Sequence, residues 1–163
     1  MKPTQRLQEV GQSLWLDNIA RGLLTDGTLR RYIAELSVTG LTSNPTIFDH
    51  AIRDGGAYDS GIRRKAAEGT TGQGLFFDLA LEDLTQAAEL FRPAYDRTGG
   101  VDGWVSLEVS PLLANDTAGT IAAAAQLAIR VIQKSPVTCS RRSAGAWMMA
   151  WLMPKLKMSA EID

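Results

Sequence analysis

Hydrophobic and polar positions along this chain keep switching between a helical and an extended rhythm up to about Ile132. Leu7, Val10 and Leu14 recur at helical spacing, and Ser13-Leu14-Trp15-Leu16-Asp17 then reads as a short buried strand. Thr28 is placed to cap a helix carrying Leu29, Ile33 and Leu36 on one face. Val38-Thr39-Gly40-Leu41-Thr42, rich in β-branched residues, predicts a second strand stopped by Asn44-Pro45. A helical stretch follows from Thr46 to Glu68, weakened by Gly55-Gly56. Phe77, Leu81, Leu84, Ala88 and Phe91 form the stripe of an amphipathic helix with Pro93 near its end, and Gly99-Gly100 is a turn. Trp104-Val105-Ser106-Leu107-Glu108-Val109 predicts a third strand. Asn115-Asp116-Thr117 then caps a helix carrying Ile121, Ala125, Ala128 and Ile132.

Strands alternating with helices predict an α/β fold with a parallel sheet built from βαβ units. Three strands leave open whether that sheet is flat or closed. From Gln133 the rhythm stops: Ser135-Pro136 interrupts the helix, Arg141 and Arg142 intrude, and Trp147 to Met153 forms an apolar cluster with no periodic partner. The chain therefore divides into residues 1–130, regular α/β, and an unmatched tail, residues 131–163.

Composition changes this picture mainly by exclusion. In 163 residues, 45% hydrophobic and 21% charged with a net charge of −1, there is core enough for a globular domain and no basic stripe for nucleic acid. Cys139 and His50 are each alone, which disfavours a disulfide, a zinc site and a Ser-His-Asp triad, and points to a reducing compartment such as the cytoplasm. No metal or cofactor is expected. No signal-like leader and no apolar run of the ~20 residues needed for a membrane span stands in the sequence.

The candidate chemistry sits where the strands end. Asp17 closes the first, Asn44 follows the second, and Glu108 closes the third. Alternation along a strand puts Thr42 on the face of Asn44 and Ser106 on the face of Glu108. In parallel α/β folds the carboxyl ends of strands form the active site, so two carboxylates and an amide would converge on one pocket. Carboxylates in different surroundings can divide proton donation from proton abstraction. Taken singly, each residue also reads as a turn or helix-cap residue.

Three segments carry a family likeness: Ser13 to Asn18, Gly40-Leu41-Thr42-Ser43-Asn44-Pro45-Thr46-Ile47-Phe48, and Val105-Ser106-Leu107-Glu108-Val109-Ser110-Pro111. With the Asn115-Asp116-Thr117 helix, they resemble the first strand motifs of transaldolases. The resemblance implies a partial (β/α)₈ barrel, about the first three strands with their helices. It also implies the chemistry of the pentose phosphate pathway: transfer of a dihydroxyacetone unit from sedoheptulose 7-phosphate to glyceraldehyde 3-phosphate, giving erythrose 4-phosphate and fructose 6-phosphate, through a lysine Schiff base. By the same resemblance Asp17 exchanges the hydroxyl proton during carbon–carbon cleavage, Asn44 binds the dihydroxyacetone part with Thr42 and Ser106 beside it, and Glu108 positions a water.

One departure bears on activity. The family carries its lysine in an apolar Ile-Lys-Ile-Pro-like run, and this chain has Val137-Thr138-Cys139-Ser140-Arg141-Arg142-Ser143 in that place. A guanidinium stays protonated and forms no imine, so no Schiff-base lysine is assigned. A barrel of this kind needs ~250 residues. The expectation is a chain inactive by itself, its tail read out of frame, with an exposed barrel edge open to self-association. The alternatives are a non-catalytic α/β binding module and a half-barrel completed by oligomerisation.

Overall fold

The computed structural model describes residues 2–54 and 56–134, with side chains to Leu127. The break after Gln133 and the tail features, Cys139, the two arginines and the Trp147–Met153 cluster, thus fall almost wholly outside the described residues. Packing divides the chain into two units, with the division falling between Val105 and Ser106 in the sequence.

In the first unit, α1 (Pro3–Glu9) starts on a proline, whose missing N–H costs nothing at a helix start. Its expected stripe does not form. Gly11, at φ +87, turns the chain, so Val10 is left exposed and Leu14 enters strand β1 (Leu14–Asp17). Next come α2 (Arg21–Thr25), which the sequence rhythm did not predict, and α3 (Thr28–Leu36). Thr28 is not the cap expected of it. The left-handed Gly27 occupies the cap position, and Asp26 Oδ1 accepts from the Thr28 N–H at 2.8 Å. Strand β2 (Val38–Thr42) has the expected bounds. The long helical stretch after it is three pieces: α4 (Pro45–Arg53), a 3₁₀ turn at Gly56–Tyr58, and α5 (Asp59–Ala67). Helix α6 (Gly72–Thr98) runs straight through Pro93, whose ring is exposed while Ala94 next to it is 1% exposed. Its buried line is Ala80, Leu84, Ala87, Phe91 and Ala94, whereas Phe77 and Ala88 are only half-buried. The left-handed Gly99 ends it.

Strand β3 is Trp104–Val105, much shorter than the predicted Trp104–Val109. The three strands are parallel in the order β1-β2-β3, with Asp17 opposite Thr42 and Leu41 opposite Val105. The register explains the short strand. The β2–β3 ladder holds two pairs, Gly40 with Trp104 and Leu41 with Val105, and β2 itself ends one residue later at Thr42. Thr39, Leu41 and Val105 are buried, and α3 and α6 pack against the sheet. A mixed α/β unit with a small parallel sheet is the result.

At Gly40 the opposite face has no room for a side chain. A Cβ there would lie 2.5 Å from Cε2 of the Trp15 indole. Gly40→Ala is expected to cost roughly 1–3 kcal/mol through overpacking. Gly22→Ala, on α2 with nothing within 4 Å of the new methyl, should instead stabilise by about 0.4–1 kcal/mol. Urea unfolding of the two variants checks the pair; equal midpoints would show that Trp15 yields without cost.

In the second unit, a 3₁₀ turn at Pro111–Leu113 leads to α7 (Thr117–Lys134). Asp116 caps it as expected, its Oδ1 accepting from the Gly119 N–H at 2.8 Å. The buried face differs from the predicted one. Thr120 Oγ1 donates to the Leu113 carbonyl at 3.0 Å, which turns Thr120, Ala124 and Leu127 inward and leaves Ile121 and Ala125 exposed. Ala128 and Ile132 lie beyond the described side chains.

Candidate functional site

Asp17 and Thr42 are the last residues of β1 and β2 and face each other in register. Asn44 continues β2 in extended conformation, at φ −136 and ψ 165, so alternation returns it to the side of Thr42 and sends the fully buried Ser43 the other way. Asp17 is exposed, and Thr42 and Asn44 are half-buried. A carboxylate, a hydroxyl and an amide thus meet at the carboxyl end of two adjacent parallel strands, the position where α/β folds bind ligands.

Asn44 is also a helix cap. Its Oδ1 accepts from the Ile47 N–H at 3.0 Å, and Pro45 occupies the first turn of α4. The cap occupies one lone pair of the amide oxygen, which leaves a ligand the two Nδ2 hydrogens and the second lone pair. Substitutions separate the two roles. Asn44→Ala should lower stability by about 1 kcal/mol, and Asn44→Asp, which keeps the capping oxygen but has no donor, by no more than a few tenths. Thermal melts of both variants test this; equal losses would mean that Oδ1 contributes nothing as a cap.

Ser106 and Glu108 belong to the second unit. Neither lies in a strand, so the ladder expected to hold them on one face does not extend to them. Ser106 is buried and Glu108 is exposed. The structure brings Asp17, Thr42 and Asn44 together in one unit and carries Ser106 and Glu108 in the other.

Close behind the β1 end lies a polar cluster that the sequence rhythm did not signal. Asp83 of α6 is fully buried; its Oδ1 accepts from Arg21 Nε at 2.8 Å and its Oδ2 from the Tyr58 hydroxyl at 2.6 Å. The Tyr58 oxygen in turn accepts from the Arg21 backbone N–H at 3.0 Å, and the Arg21 guanidinium lies 4.6 Å from the Tyr58 ring centre. Two donors converging on one carboxyl group call for its ionised form. Burial pushes the Asp83 carboxyl up from its ordinary range, against the pull of Tyr58 and Arg21. Burial and the Asp83 carboxylate raise the Tyr58 phenol well above its usual value. Next to them Glu82 bridges Arg21, Arg64 and the buried Lys65, the last at 2.8 Å. Burial alone would raise Glu82, but Lys65 and Arg64 together hold it low. Among the described residues, no group of three or more His, Cys, Asp or Glu is arranged to hold a metal, and no helix is long and apolar enough to cross a membrane.

Comparison with known proteins gives this geometry a context. Residues 14–140 match the family model described as Transaldolase/Fructose-6-phosphate aldolase. The chain is 50% identical over 125 residues to a transaldolase of Arthrobacter sp. (strain FB24), covering 77% of this chain and 34% of that protein. It is 45% identical over 125 residues to the transaldolase of Thermobifida fusca (strain YX), with the same coverage, 77% and 34%. It is 42% identical over 127 residues to that of Thiobacillus denitrificans, covering 78% and 35%. The chain thus spans about a third of the length of the curated relatives it matches, 34% of the first.

Proposed function

Because the chain belongs to the transaldolase/fructose-6-phosphate aldolase family, we propose that it carries the dihydroxyacetone-handling strand ends of a (β/α)₈ barrel acting on sugar phosphates in the cytoplasm. In this reading residues 1–130 hold the first three strand–helix units of the barrel. Asp17 takes and returns the hydroxyl proton of the ketose as the carbon–carbon bond breaks and forms. Asn44 donates through Nδ2 to the dihydroxyacetone part, Thr42 and Ser106 line it, and Glu108 orients the water of imine formation and breakdown. The observation that carries the reading is the juxtaposition of Asp17, Thr42 and Asn44 at the carboxyl ends of parallel strands, inside the segment that matches the family.

The chemistry needs an amine that the chain does not supply in the expected place. A ketose forms an imine with a neutral lysine, and the imine then accepts the electron pair released on cleavage. Residues 137–143 offer two guanidinium groups and a thiol where the family's lysine run belongs. We therefore expect no turnover from this chain alone. Mixed with fructose 6-phosphate and sodium borohydride, it should gain no mass by intact mass spectrometry, because no imine forms for the hydride to trap. A stable adduct mapped by peptide analysis to Lys134 or another lysine would overturn this.

One observation supports a second reading. Among the described residues, β1 and β3 each pair on one side only, which leaves strand edges open to a second copy. Self-association through those edges is compatible with the first reading and requires no catalysis.

A further inference from the structure

The cluster of Arg21, Tyr58 and Asp83 takes part in none of the chemistry above, yet it grips the chain four residues after Asp17. From this we infer that Tyr58 and Asp83 are positioning residues for Asp17, fixing the turn that carries β1 into α2; this deepens the proposed function and rests on it.

The backbone between the two anchors is short. Asp17 is held by its register with Thr42, and Arg21 by the Tyr58 hydroxyl accepting from its N–H. Only Asn18, Ile19 and Ala20 intervene, a reach of at most ~3.6 Å per residue, and Ile19 between them is 0% exposed. Helix α2 has no cap of its own, since Ala20 at the cap position makes no side-chain bond. Tyr58, 37 residues away, does that work instead. Asp83 orients Tyr58 by accepting a hydrogen bond from its hydroxyl at 2.6 Å, and it holds the Arg21 side chain at 2.8 Å. An apolar cluster would pack this volume without burying a carboxylate. What the polar one adds is geometry: two fixed acceptors on α6 set where Arg21 begins its helix, and so where the chain leaves Asp17.

Tyr58→Phe tests this on the chain as it exists, because it keeps the ring and removes only the oxygen. Ala94→Gly, at the far end of α6, is the comparison: it destabilises the fold through lost helix propensity and a lost buried methyl and removes no atom of the cluster. The readouts are amide hydrogen exchange at residues 18–21 and the carboxyl ¹³C shift of Asp17. Tyr58→Phe and Asp83→Asn should each speed exchange at residues 18–21 at least about tenfold beyond the change in global stability, the factor expected for losing ~1.4 kcal/mol of local protection. Both should also move the Asp17 carboxyl resonance, and Ala94→Gly should do neither. Exchange rising evenly across all three strands, or an Asp17 resonance unmoved in Tyr58→Phe, overturns the inference. None of these readouts requires turnover, so an inactive chain leaves the test intact, and a positive result leaves the reaction itself to be decided by sugar-phosphate assays.

Discussion

Asp83→Ala is expected to lower the free energy of unfolding by about 3–5 kcal/mol, the cost of removing one partner from a buried ion pair. The carboxylate is 0% exposed and accepts two hydrogen bonds. Its loss strands the Arg21 guanidinium, whose side chain is 15% exposed, and leaves the Tyr58 hydroxyl without its acceptor. Glu82 remains on Arg21 at 3.3 Å, which places the loss inside the range rather than above it. Tyr58→Phe should cost less, about 2–4 kcal/mol, since it deletes the hydrogen bond donated to the charged Asp83 and the one accepted from the Arg21 N–H but leaves the ion pair. The same cluster predicts an alkaline limit. Burial first, and then Asp83, keep the Tyr58 phenol protonated in the folded state well above 10.0, where a tyrosine of the unfolded chain ionises. Above that pH the unfolded state has released a proton that the native state still binds, so this contribution is fully present below pH 10 and is lost as pH rises, by up to ~1.4 kcal/mol per unit. Urea unfolding at pH 8 to 11 checks both points. An Asp83→Ala midpoint within error of the parent would mean that the ion pair is replaced by water without penalty, and a Tyr58→Phe variant with an undiminished alkaline loss would place that loss elsewhere.

Much of the fold was legible because local signals and tertiary packing agreed. Val38 to Thr42 is β-branched on both sides of Gly40 and is closed by Asn44-Pro45, and its observed bounds match that reading. Where they disagreed, tertiary context decided. Phe77 and Ala88 fit the helical period of α6 but stand beside its buried line, since a stripe read from spacing alone is free to rotate by one position. The third strand looked six residues long because a strand's pattern says nothing of its partner, and β2 ends at Thr42. Asp17, Thr42 and Asn44 could be found because strand ends and turn residues are marked in sequence. The Arg21–Tyr58–Asp83 cluster could not be assembled that way, as its members come from three elements separated by up to 62 positions. One clue was present: Asp83 stands between Ala80 and Ala87 on an apolar stripe, where a charge needs a buried partner.

On the function proposed above, restoring a single reading frame near the end of the chain is expected to yield a protein that turns over sugar phosphates. The regular βα pattern reaches about residue 130, and the residues that follow carry no comparable period. Trp and Met have one codon each, so Trp147-Met148-Met149-Ala150-Trp151 is encoded by TGG ATG ATG GCN TGG. Read one nucleotide earlier, this gives Asp-Asp-Gly followed by Leu, Met or Val, which suits the polar loop after the family's lysine run. Upstream, Cys139 to Ser143 can be written TGT TCA CGA AGA TCN, and the same shift after a preceding C gives Leu-Phe-Thr-Lys-Ile, an apolar strand with a lysine in it. The competing account is an authentic divergent terminal helix with exposed tryptophans. Sequencing the DNA across codons 129 to 151 decides between them: the shifted frame should encode a lysine strand and stay open well beyond it, and immediate stop codons would end the idea. Expressed in that frame, the protein should turn over sugar phosphates and trap a ketose with borohydride. Asp17→Ala and Glu108→Ala should then each reduce kcat by roughly 10²–10⁴, the range for removing a general acid–base group, with folding checked by circular dichroism. An active, frame-restored enzyme indifferent to both substitutions would leave the lysine assignment standing and remove Asp17 from the proposed proton transfer and Glu108 from the proposed positioning of water.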